Sequence, residues 1–427
     1  MNIYFIGIGG IGVSALAQYY FSKGEKVSGS DFFESEMTLK LKEKGIDVLI
    51  GKNKEEDVKD YDLVIYSPAI KPENDELAFF VKKGIKVLSY PKALGELTKD
   101  YFTIAVSGTH GKSTTTSLIS LILIEAGFDP TVIVGTKLKE FNGSNFREGK
   151  SKYLIIEACE HEESFLNYNS DIALILNIEE DHIDYYKNIE NVYKAFNDFA
   201  SLIKKDGILI KAKDLNIETS KKTIDFSLEE VGFLKGVMKV PGEYNLLNAL
   251  ASVKVARALK ISDETSLKAL SMFKGTWRRF DEHLIGELVL IDDYAHHPTE
   301  ILAMLKSARE KYPQKKIYCV FQPHQYQRTF FLLKDFINAF KDIINNKLVD
   351  RLFLIDIYDV LGREEKESKS KIDSKKLASM VDGIEYVTCD NLFNLLEGGE
   401  VIIFMGAGNI YNLSQEFKNL QEKIKML

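Results

Sequence analysis

The chain has 427 residues, of which 45% are hydrophobic and 28% are charged, and its formal net charge is −7. This length predicts two or three domains with their own cores, and the acidic balance argues against a nucleic-acid-binding protein. Three cysteines without CxxC spacing, no basic leader and no apolar run of membrane-spanning length predict a reduced, cytoplasmic protein without membrane association.

Residues 1–98 alternate short apolar runs with helical patterns, which is typical of a parallel α/β sheet. The first predicted strand, Ile3 to Ile6, leads into GIGGIG at 7–12, and Asp31 follows at the spacing of a ribose-binding acid. Glycines at such a turn let a pyrophosphate approach the N-terminus of a helix. The pattern predicts a nucleotide diphosphate site. It leaves open NAD, which it favours when taken alone, a UDP-sugar and a purely structural turn.

A second glycine turn follows the predicted strand at 103–106 and has the sequence GTHGKS at 108–113. A strand, a glycine turn and a helix N-terminus form an anion site whose backbone N–H groups point inward, and Lys112 adds a full charge. The Ser113 hydroxyl is suited to ligate the Mg²⁺ that accompanies a nucleoside triphosphate. The general phosphate-loop pattern requires glycine at Val106, so this match is to a narrower form of it.

Polar residues follow two further predicted strands of this segment, where parallel sheets bind their ligands. Glu157 closes the strand at 153–156, and a carboxylate there is suited to Mg²⁺. His182 follows the strand at 172–178, but imidazole is a less usual magnesium ligand, so residue chemistry alone assigns it no role. Asn245 and Asn248 share one helical face, and either read an adenine edge or cap the helix.

The pattern resets near residues 275–280, which indicates a domain junction, and the last segment is again α/β. Four predicted strands there end in polar or glycine clusters, as expected of one doubly wound sheet: DDYAHHPTE at 292–300, QPHQYQRT at 322–329, DIY at 356–358 and GAGN at 406–409. The charge run at 364–371 predicts a solvated, mobile loop.

Taken together, these motifs resemble the ATP-dependent Mur ligases over nearly the whole chain. The resemblance rests on GIGGIGVS at 7–14, GTHGKSTTT at 108–116, EACE at 157–160, NIEEDH at 177–182, RRF at 278–280, DDYAHHPTE, FQPHQYQRT at 321–329 and MGAG at 405–408. DDYAHHPTE with FQPH is the specific part, and it is similar to the members that join L-alanine to UDP-N-acetylmuramate in peptidoglycan precursor synthesis. The resemblance implies three α/β domains: a Rossmann-like UDP-sugar-binding domain at 1–98, a P-loop ATP-binding domain at 99–276 and a Rossmann-like amino-acid-binding domain at 277–427.

The resemblance also implies roles for individual residues, carried over by position. The residues implied to bind the UDP-sugar are Gly9, Gly10, Ile11, Gly12, Asp31, Ser67 and His110. Those implied to bind ATP are Gly108, Thr109, His110, Gly111, Lys112, Ser113, Thr114, Asn245, Asn248, Arg279 and Asp293. The implied magnesium ligands are Ser113, Glu157 and His182, and the residues implied to bind the acceptor amino acid are Tyr294, His296, His324 and Arg328. Lys112, Glu157, His182 and Arg328 form the implied catalytic set.

The sequence departs from the family pattern at several positions. Ser113 and Leu176 stand where threonine is usual, Cys159 where aspartate is, Tyr244 where histidine is and Gln325 where arginine is. Other activities remain open: a murein-peptide ligase of wall recycling, an NAD-dependent oxidoreductase, a P-loop kinase and a non-catalytic nucleotide-binding protein. A monomer or weak homodimer is expected.

Overall fold

The computed structural model describes residues 1–51, 60–359 and 371–426. The charge run at 364–371 therefore lies outside the described residues, apart from its last residue. The chain divides into two compact units. The first unit comprises Met1–Glu180, Ile189–Val237 and Leu247–Phe273, and the second comprises Asp181–Asn188, Met238–Leu246 and Lys274–Leu427.

The first sheet belongs to the first unit, and its strands are all parallel, in the order β3-β2-β1-β4-β5. The strands are β1 (Asn2–Ile6), β2 (Lys26–Asp31), β3 (Asp47–Ile50), β4 (Leu63–Tyr66) and β5 (Lys86–Ser89). The helices are α1 (Ile11–Ser22), α2 (Glu36–Glu43), α3 (Asp75–Lys82) and α4 (Tyr90–Asp100). β1 is buried from Ile3 to Ile6, which explains its continuous apolar run. Because β1 lies between β2 and β4, the glycine turn after it opens at the switch point of the sheet.

The second sheet also belongs to the first unit and has the order β12-β11-β10-β6-β9-β7-β8, with only the β7–β8 pair antiparallel. The strands are β6 (Phe102–Ser107), β7 (Thr131–Leu138), β8 (Ser144–Arg147), β9 (Tyr153–Glu157), β10 (Ile172–Ile175), β11 (Ile208–Ala212) and β12 (Lys222–Phe226). The helices that follow in the chain are α5 (Lys112–Glu125), α6 (Ile183–Tyr186), α7 (Ile189–Ser201), α8 (Glu243–Ala258) and α9 (Asp263–Met272). Short 3-10 segments occur at Lys139–Phe141, His161–Asn167 and Leu228–Leu234.

Polar contacts hold the two sheets of the first unit together. α1 packs against β7 and β8, and the Gln18 side-chain amide donates to Asn145 Oδ1 at 2.9 Å. Lys137, which is 9% exposed, lies 2.6 Å from the Glu36 carboxylate at the start of α2. The glycine turn after β1 and the second sheet therefore belong to one packed body.

The third sheet lies in the second unit, with the order β13-β14-β18-β15-β16-β17 and only β13 antiparallel. Its strands are β13 (Asp281–Ile285), β14 (Leu288–Asp293), β15 (Ile317–Phe321), β16 (Arg351–Leu354), β17 (Ile384–Tyr386) and β18 (Val401–Met405). Its helices are α10 (Pro298–Lys311), α11 (Tyr326–Phe331), α12 (Leu333–Asn345), α13 (Ser374–Ala378), α14 (Cys389–Leu395) and α15 (Ile410–Met426).

The predicted α/β class with parallel-rich sheets is confirmed in all three sheets. The sequence reading overlooked β3, the β7–β8 hairpin and the outer strands β11, β12, β13 and β17. Within the described part of the chain, we find no helix with the length and apolar character needed to cross a membrane.

Candidate active site

The glycine turn at 7–12 is closed by Asp31, the last residue of β2. The Gly9 N–H donates to Asp31 Oδ2 at 2.8 Å. A Cβ added at Gly12 would lie 2.8 Å from the Tyr90 ring, so a larger residue requires the ring to move. Asp31 thus holds the turn in shape, and its predicted contact with a ribose stays a prediction.

The other predicted sugar-nucleotide residues lie at the same edge of the first sheet, apart from His110. Gly10 precedes α1, Ile11 begins it, and Ser67 follows β4. A Cβ added at Gly7 would lie 3.0 Å from the Cβ of Ser67, so this serine adjoins the turn. A cavity at this edge includes Asp31 and is also lined by Ile6, Gly7, Ser30, Ile70 and Asn74.

The phosphate loop, residues 108–113, has two glycines in backbone conformations that other residues rarely adopt, with φ of 137° at Gly108 and 82° at Gly111. The His110 N–H donates to Asn177 Oδ1 at 2.7 Å, and the Thr109 N–H donates to the Asn177 carbonyl at 3.1 Å. These two amides bind the segment after β10, which corrects the expectation that the loop amides point inward to a ligand. The amides of the first turn of α5 have no partner within the helix and are suited to a phosphate.

Lys112 begins α5, and the protein itself already binds its ammonium group. Its Nζ lies 2.8 Å from Glu160 Oε2 and donates to the carbonyls of Gly108 and Thr109 at 2.6 and 3.0 Å. Burial opposes the charge, but Glu160 raises the pKa of Lys112 above its ordinary value. Glu160 is only 3% exposed, so solvent ions screen the pair weakly. The lysine is therefore protonated and fixed beside the loop in the ligand-free chain.

Two predicted magnesium ligands with oxygen donors, Glu157 and Ser113, lie in the first unit with the phosphate loop. Glu157 ends β9, and its Oε2 accepts the Gly135 N–H at 2.8 Å. Its other oxygen accepts no hydrogen bond from the described residues. Ser113 is half-buried and Thr114 is buried in the first turn of α5. Burial raises the pKa of the Cys159 thiol to about 12, so this position is neutral where the resemblance implies aspartate.

The two predicted adenine-binding asparagines lie on α8, and both are buried, at 3% and 6% exposed. The Asn245 side-chain amide donates to the Pro241 carbonyl at 2.7 Å, which ties the start of α8 to the preceding turn. Asn248 lies against the phosphate loop, since a Cβ added at Gly111 would come within 2.5 Å of its Oδ1. Asn248 supports the loop, and an adenine contact for either residue stays a prediction.

Asp293 ends β14 in the second unit, and it organises the segment that carries Arg279. Its carboxylate accepts the N–H groups of Phe280 at 2.7 Å and Ala295 at 2.8 Å. Burial raises the pKa of Asp293 to about 6, and Arg279 opposes this shift. Arg279 Nη1 also lies 3.3 Å from Glu300. Asp293 and Arg279 are thus neighbours, and their predicted contact with ATP stays a prediction.

The structure brings together the four predicted acceptor residues, Tyr294, His296, His324 and Arg328, which we call the acceptor cluster. The ring centroids of Tyr294 and His296 are 5.5 Å apart, and those of His296 and His324 are 6.0 Å apart. His324 Nδ1 lies 3.4 Å from Arg328 Nη1, and its ring stacks on Tyr358 at 5.6 Å. Residues from the ends of β14 and β15 thus form one group.

His296 is neutral within this cluster. Its Nδ1 lies 3.1 Å from the Tyr294 carbonyl and 3.4 Å from Glu300 Oε2. Burial lowers the pKa of His296 to about 4, and Arg328 contributes to the shift. Because a carbonyl oxygen only accepts, we assign the ring proton to Nδ1, which leaves Nε2 as an acceptor.

Arg328 forms an ion pair with Asp181. Its Nε and Nη2 donate to Asp181 Oδ1 at 3.2 and 3.0 Å, and the His182 N–H donates to the same oxygen at 2.8 Å. Burial opposes ionisation of Asp181, but Arg328 and neighbouring imidazoles hold its pKa well below 3.8. His182 has a φ of 52°, so the backbone here adopts a rare conformation. Arg328 therefore has a protein counter-ion before any substrate binds.

Residue-level reading missed four of these partners: Glu160, Asp181, Glu300 and Tyr358. The first three belong to motifs singled out for other residues, and Glu300 lies four residues after His296. The sequence could have indicated these three acids, since each lies near a predicted functional residue in its motif. Tyr358 offered only its place after a predicted strand.

Comparisons with known proteins agree with this arrangement. Three family models match in succession: the Mur ligase family, catalytic domain, at residues 2–102; the Mur ligase middle domain at 106–231; and the Mur ligase, glutamate ligase domain, at 278–408. The UDP-N-acetylmuramate–L-alanine ligase of Clostridium tetani is 41% identical over 97% of each chain. The enzyme of the same name from Acetivibrio thermocellus is 40% identical over 97% of this chain and 95% of its own.

Two solved structures are similar over 99% of both chains. UDP-N-acetylmuramate-alanine ligase from Thermotoga maritima superposes with a TM-score of 0.80 at 26% identity. A murein peptide ligase from Psychrobacter arcticus superposes with a TM-score of 0.73 at 21% identity, which shows a shared fold alone. Because a relative 41% identical matches along the whole chain and the three domain models follow one another in order, the chain belongs to the Mur ligase family.

Proposed function

We propose that the protein is an ATP-dependent ligase that joins the amine of L-alanine to the carboxylate of UDP-N-acetylmuramate in peptidoglycan precursor synthesis. The observation that carries this proposal is the acceptor cluster, in which one guanidinium adjoins a neutral imidazole and two aromatic rings. Such a group suits a small amino acid with one carboxylate. Relatives whose names state this reaction match the chain over nearly their whole length, which supports the assignment.

In the first step, the muramyl carboxylate attacks the γ-phosphorus of ATP and forms an acyl phosphate. Two anionic groups must approach each other, so the site has to supply positive charge. Lys112 is protonated and held at the phosphate loop by Glu160, and the N-terminal turn of α5 adds its unpaired amides. Both groups are in place before the substrate binds, so little reorganisation accompanies the reaction.

The oxygen donors of the first unit fit Mg²⁺. Glu157 has one carboxylate oxygen fixed by Gly135 and another free of hydrogen bonds from the described residues, and Ser113 offers a hydroxyl at the loop. Hard cations prefer such oxygen ligands, and Ser113 is chemically equivalent to the usual threonine. His182 offers nitrogen, which is a less typical ligand. When bound, the ion neutralises phosphate charge and orients the transferred group.

In the second step, the α-ammonium group of L-alanine loses a proton to a base, and the resulting amine attacks the acyl carbon of the acyl phosphate. The C–O bond to phosphate breaks, phosphate leaves, and the nitrogen loses a second proton as the amide forms. Arg328 orients the carboxylate of L-alanine, which a guanidinium binds well through its planar fork. The Nε2 of His296 remains a hydrogen-bond acceptor, because the ring proton is assigned to Nδ1 beside the Tyr294 carbonyl. A neutral imidazole here does not repel the incoming ammonium group.

The glycine turn at 7–12 is assigned to the pyrophosphate of the UDP-sugar, as the family assignment implies. A reaction in the cytoplasm agrees with three cysteines that are all free. A monomer or weak homodimer remains our expectation for the oligomeric state.

The deciding experiment measures phosphate release from ATP with UDP-N-acetylmuramate, with and without L-alanine. We expect turnover only when all three substrates and Mg²⁺ are present. A panel with L-alanine and the tripeptide of a murein-peptide ligase separates the two activities. Faster ligation of the tripeptide would reassign the acceptor, and NADH binding at the glycine turn would contradict the sugar-nucleotide assignment.

A further inference from the structure

A small cavity in the second unit adjoins the Arg328–Asp181 pair. It is lined by Asp181, His182, Gln325, Arg328 and Phe331. The pair therefore lies at the wall of an open space and not within a fully packed core. Phe331 is 48% exposed and adds an apolar surface to the same wall.

Asp181 has one carboxylate oxygen that the protein uses and one that it does not. Oδ1 accepts from Arg328 Nε, Arg328 Nη2 and the His182 N–H, all within 3.2 Å. Oδ2 accepts no hydrogen bond from the described residues, and the His182 Nε2 lies 3.7 Å away, beyond hydrogen-bonding distance. Asp181 is only 9% exposed and lines the cavity, so a cationic donor that enters the cavity meets a weakly screened carboxylate.

Arg328 likewise keeps part of its hydrogen-bonding capacity. Asp181 occupies Nε and Nη2, while Nη1 points to His324 at 3.4 Å. The cavity wall thus presents one cationic and one anionic side chain, each with unused hydrogen-bonding capacity. Such a pair is electrostatically neutral and complementary to a zwitterion, which carries both charges on adjacent atoms.

We propose that Asp181 binds the α-ammonium group of the acceptor amino acid while Arg328 binds its carboxylate. This inference rests on the proposed function and adds the residue that selects for an amine. The α-amino group is largely protonated at neutral pH, so a carboxylate is its natural partner. An arginine without this partner would accept any small carboxylate equally well.

A purely structural role for the pair makes a different prediction. In that case Asp181 only fixes Arg328 and the segment of α6 beside α11, and it never touches the ligand. Loss of Asp181 would then weaken carboxylate binding through a displaced Arg328 and leave amine binding unaffected. Ligands that carry only one of the two groups therefore separate the possibilities.

The first test uses the unaltered protein and two neutral-ended ligands at pH 7. L-Alaninamide keeps the ammonium group, and L-lactamide has a hydroxyl in its place. We expect L-alaninamide to compete with L-alanine in an assay that measures incorporation of labelled L-alanine into the UDP-linked product, with L-lactamide about 10- to 100-fold weaker, as for loss of a charged hydrogen bond. Equal inhibition constants, or no competition by L-alaninamide, would overturn the proposal.

The second test uses Asp181→Asn, with Asp350→Asn as the matched control. Asp350 pairs with Arg309 at 2.8 Å in the same unit, away from the acceptor cluster. In Asp181→Asn we expect the inhibition constant of L-alaninamide to rise by about 10- to 100-fold, while that of propionate does not rise because Arg328 remains. In the control neither constant should change.

An unchanged constant for L-alaninamide, or an equal loss for propionate, would overturn the assignment. ATP and UDP-N-acetylmuramate affinities by calorimetry report whether the variant is folded, and if it is not, the comparison of L-alaninamide with L-lactamide decides alone. Failure of the proposed function looks different. The unaltered protein would then show no L-alanine-dependent phosphate release, whereas failure of this inference leaves that activity intact.

Discussion

Replacing Lys112 with methionine removes a charge that the structure uses in two ways. The ammonium group neutralises the buried Glu160 at 2.8 Å, and it faces the transferred phosphate in the proposed reaction. Methionine keeps most of the volume, so the change is chiefly electrostatic. Loss of turnover alone therefore does not show which of the two roles was lost.

The two roles differ in size and in what restores them. Removing one partner of a buried ion pair costs about 3–5 kcal/mol of folding stability, because the other charge stays buried without that counter-ion. Loss of a charge contact to the transferred phosphate costs about 10²- to 10³-fold in turnover. Adding Glu160→Gln to Lys112→Met removes the carboxylate charge that Lys112 neutralised. The double variant should recover most of the stability and none of the turnover.

Urea unfolding and phosphate release measure the two quantities on the same four proteins: unaltered, each single variant and the double variant. UDP-N-acetylmuramate affinity should stay nearly constant, since the glycine turn at 7–12 makes no use of Lys112. Turnover of the double variant above about a tenth of the original would refute the phosphate role of Lys112, because the expected loss is larger. A Lys112→Met single variant as stable as the original would refute the energetic argument for the pair.

Three further outcomes follow from local geometry. Gly12→Ala should lower stability and raise the KM for the sugar nucleotide, although alanine has the better helix propensity, because the new Cβ would lie 2.8 Å from the Tyr90 ring. Adding Tyr90→Ala should restore both stability and KM. An unchanged KM in Gly12→Ala would contradict this prediction. His296 has a pKa of about 4 when folded and 6.5 when unfolded, so the unfolded chain is protonated first and stability falls as pH drops from 6.5 to 4. His296→Gln should remove up to about 1.4 kcal/mol per pH unit of that fall, and parallel stability curves for the two proteins would refute it. Gln325→Arg should lower the KM for L-alanine by supplying a second guanidinium, and an unchanged KM would argue that Arg328 and Asp181 already suffice.

Buried strands were predictable because their sequence carries the full signal. β15 is such a strand, since its five residues are apolar and four of them are buried. The outer strands of the sheets have too few buried apolar residues to produce a hydrophobic periodicity. β12 has one buried residue in five, and β17 has only three residues, so neither shows a periodicity that a sequence window detects.

The candidate site was predictable where glycine or hydroxyl chemistry requires a fixed spacing, as in the phosphate loop. Its electrostatic partners were not. Asp181 and Arg328 are 147 residues apart, and no local rule pairs them. Asn177 was noted only as part of the NIEEDH motif, yet it accepts the Thr109 and His110 N–H groups that the loop pattern alone assigns to a ligand. Contacts between distant segments decide such details.

Lys112 and Arg328 illustrate one physical requirement in two separate units. A cation that must bind an anionic substrate at a dry site is costly to bury while the substrate is absent. Glu160 and Asp181 each offset that cost in the ligand-free chain, at 2.8 and 3.0 Å from their partners. The same carboxylate then competes with the substrate's anion, so substrate affinity is lower than a bare cation would give. In the proposed arrangement Asp181 competes less with the substrate, because its second oxygen binds the ammonium group of L-alanine. The zwitterion then binds to the Arg328–Asp181 ion pair without displacing Asp181. Glu160 gains no comparable contact, since phosphate carries no positive group. Glu160→Gln should therefore strengthen ATP binding, whereas Asp181→Asn should weaken L-alanine binding.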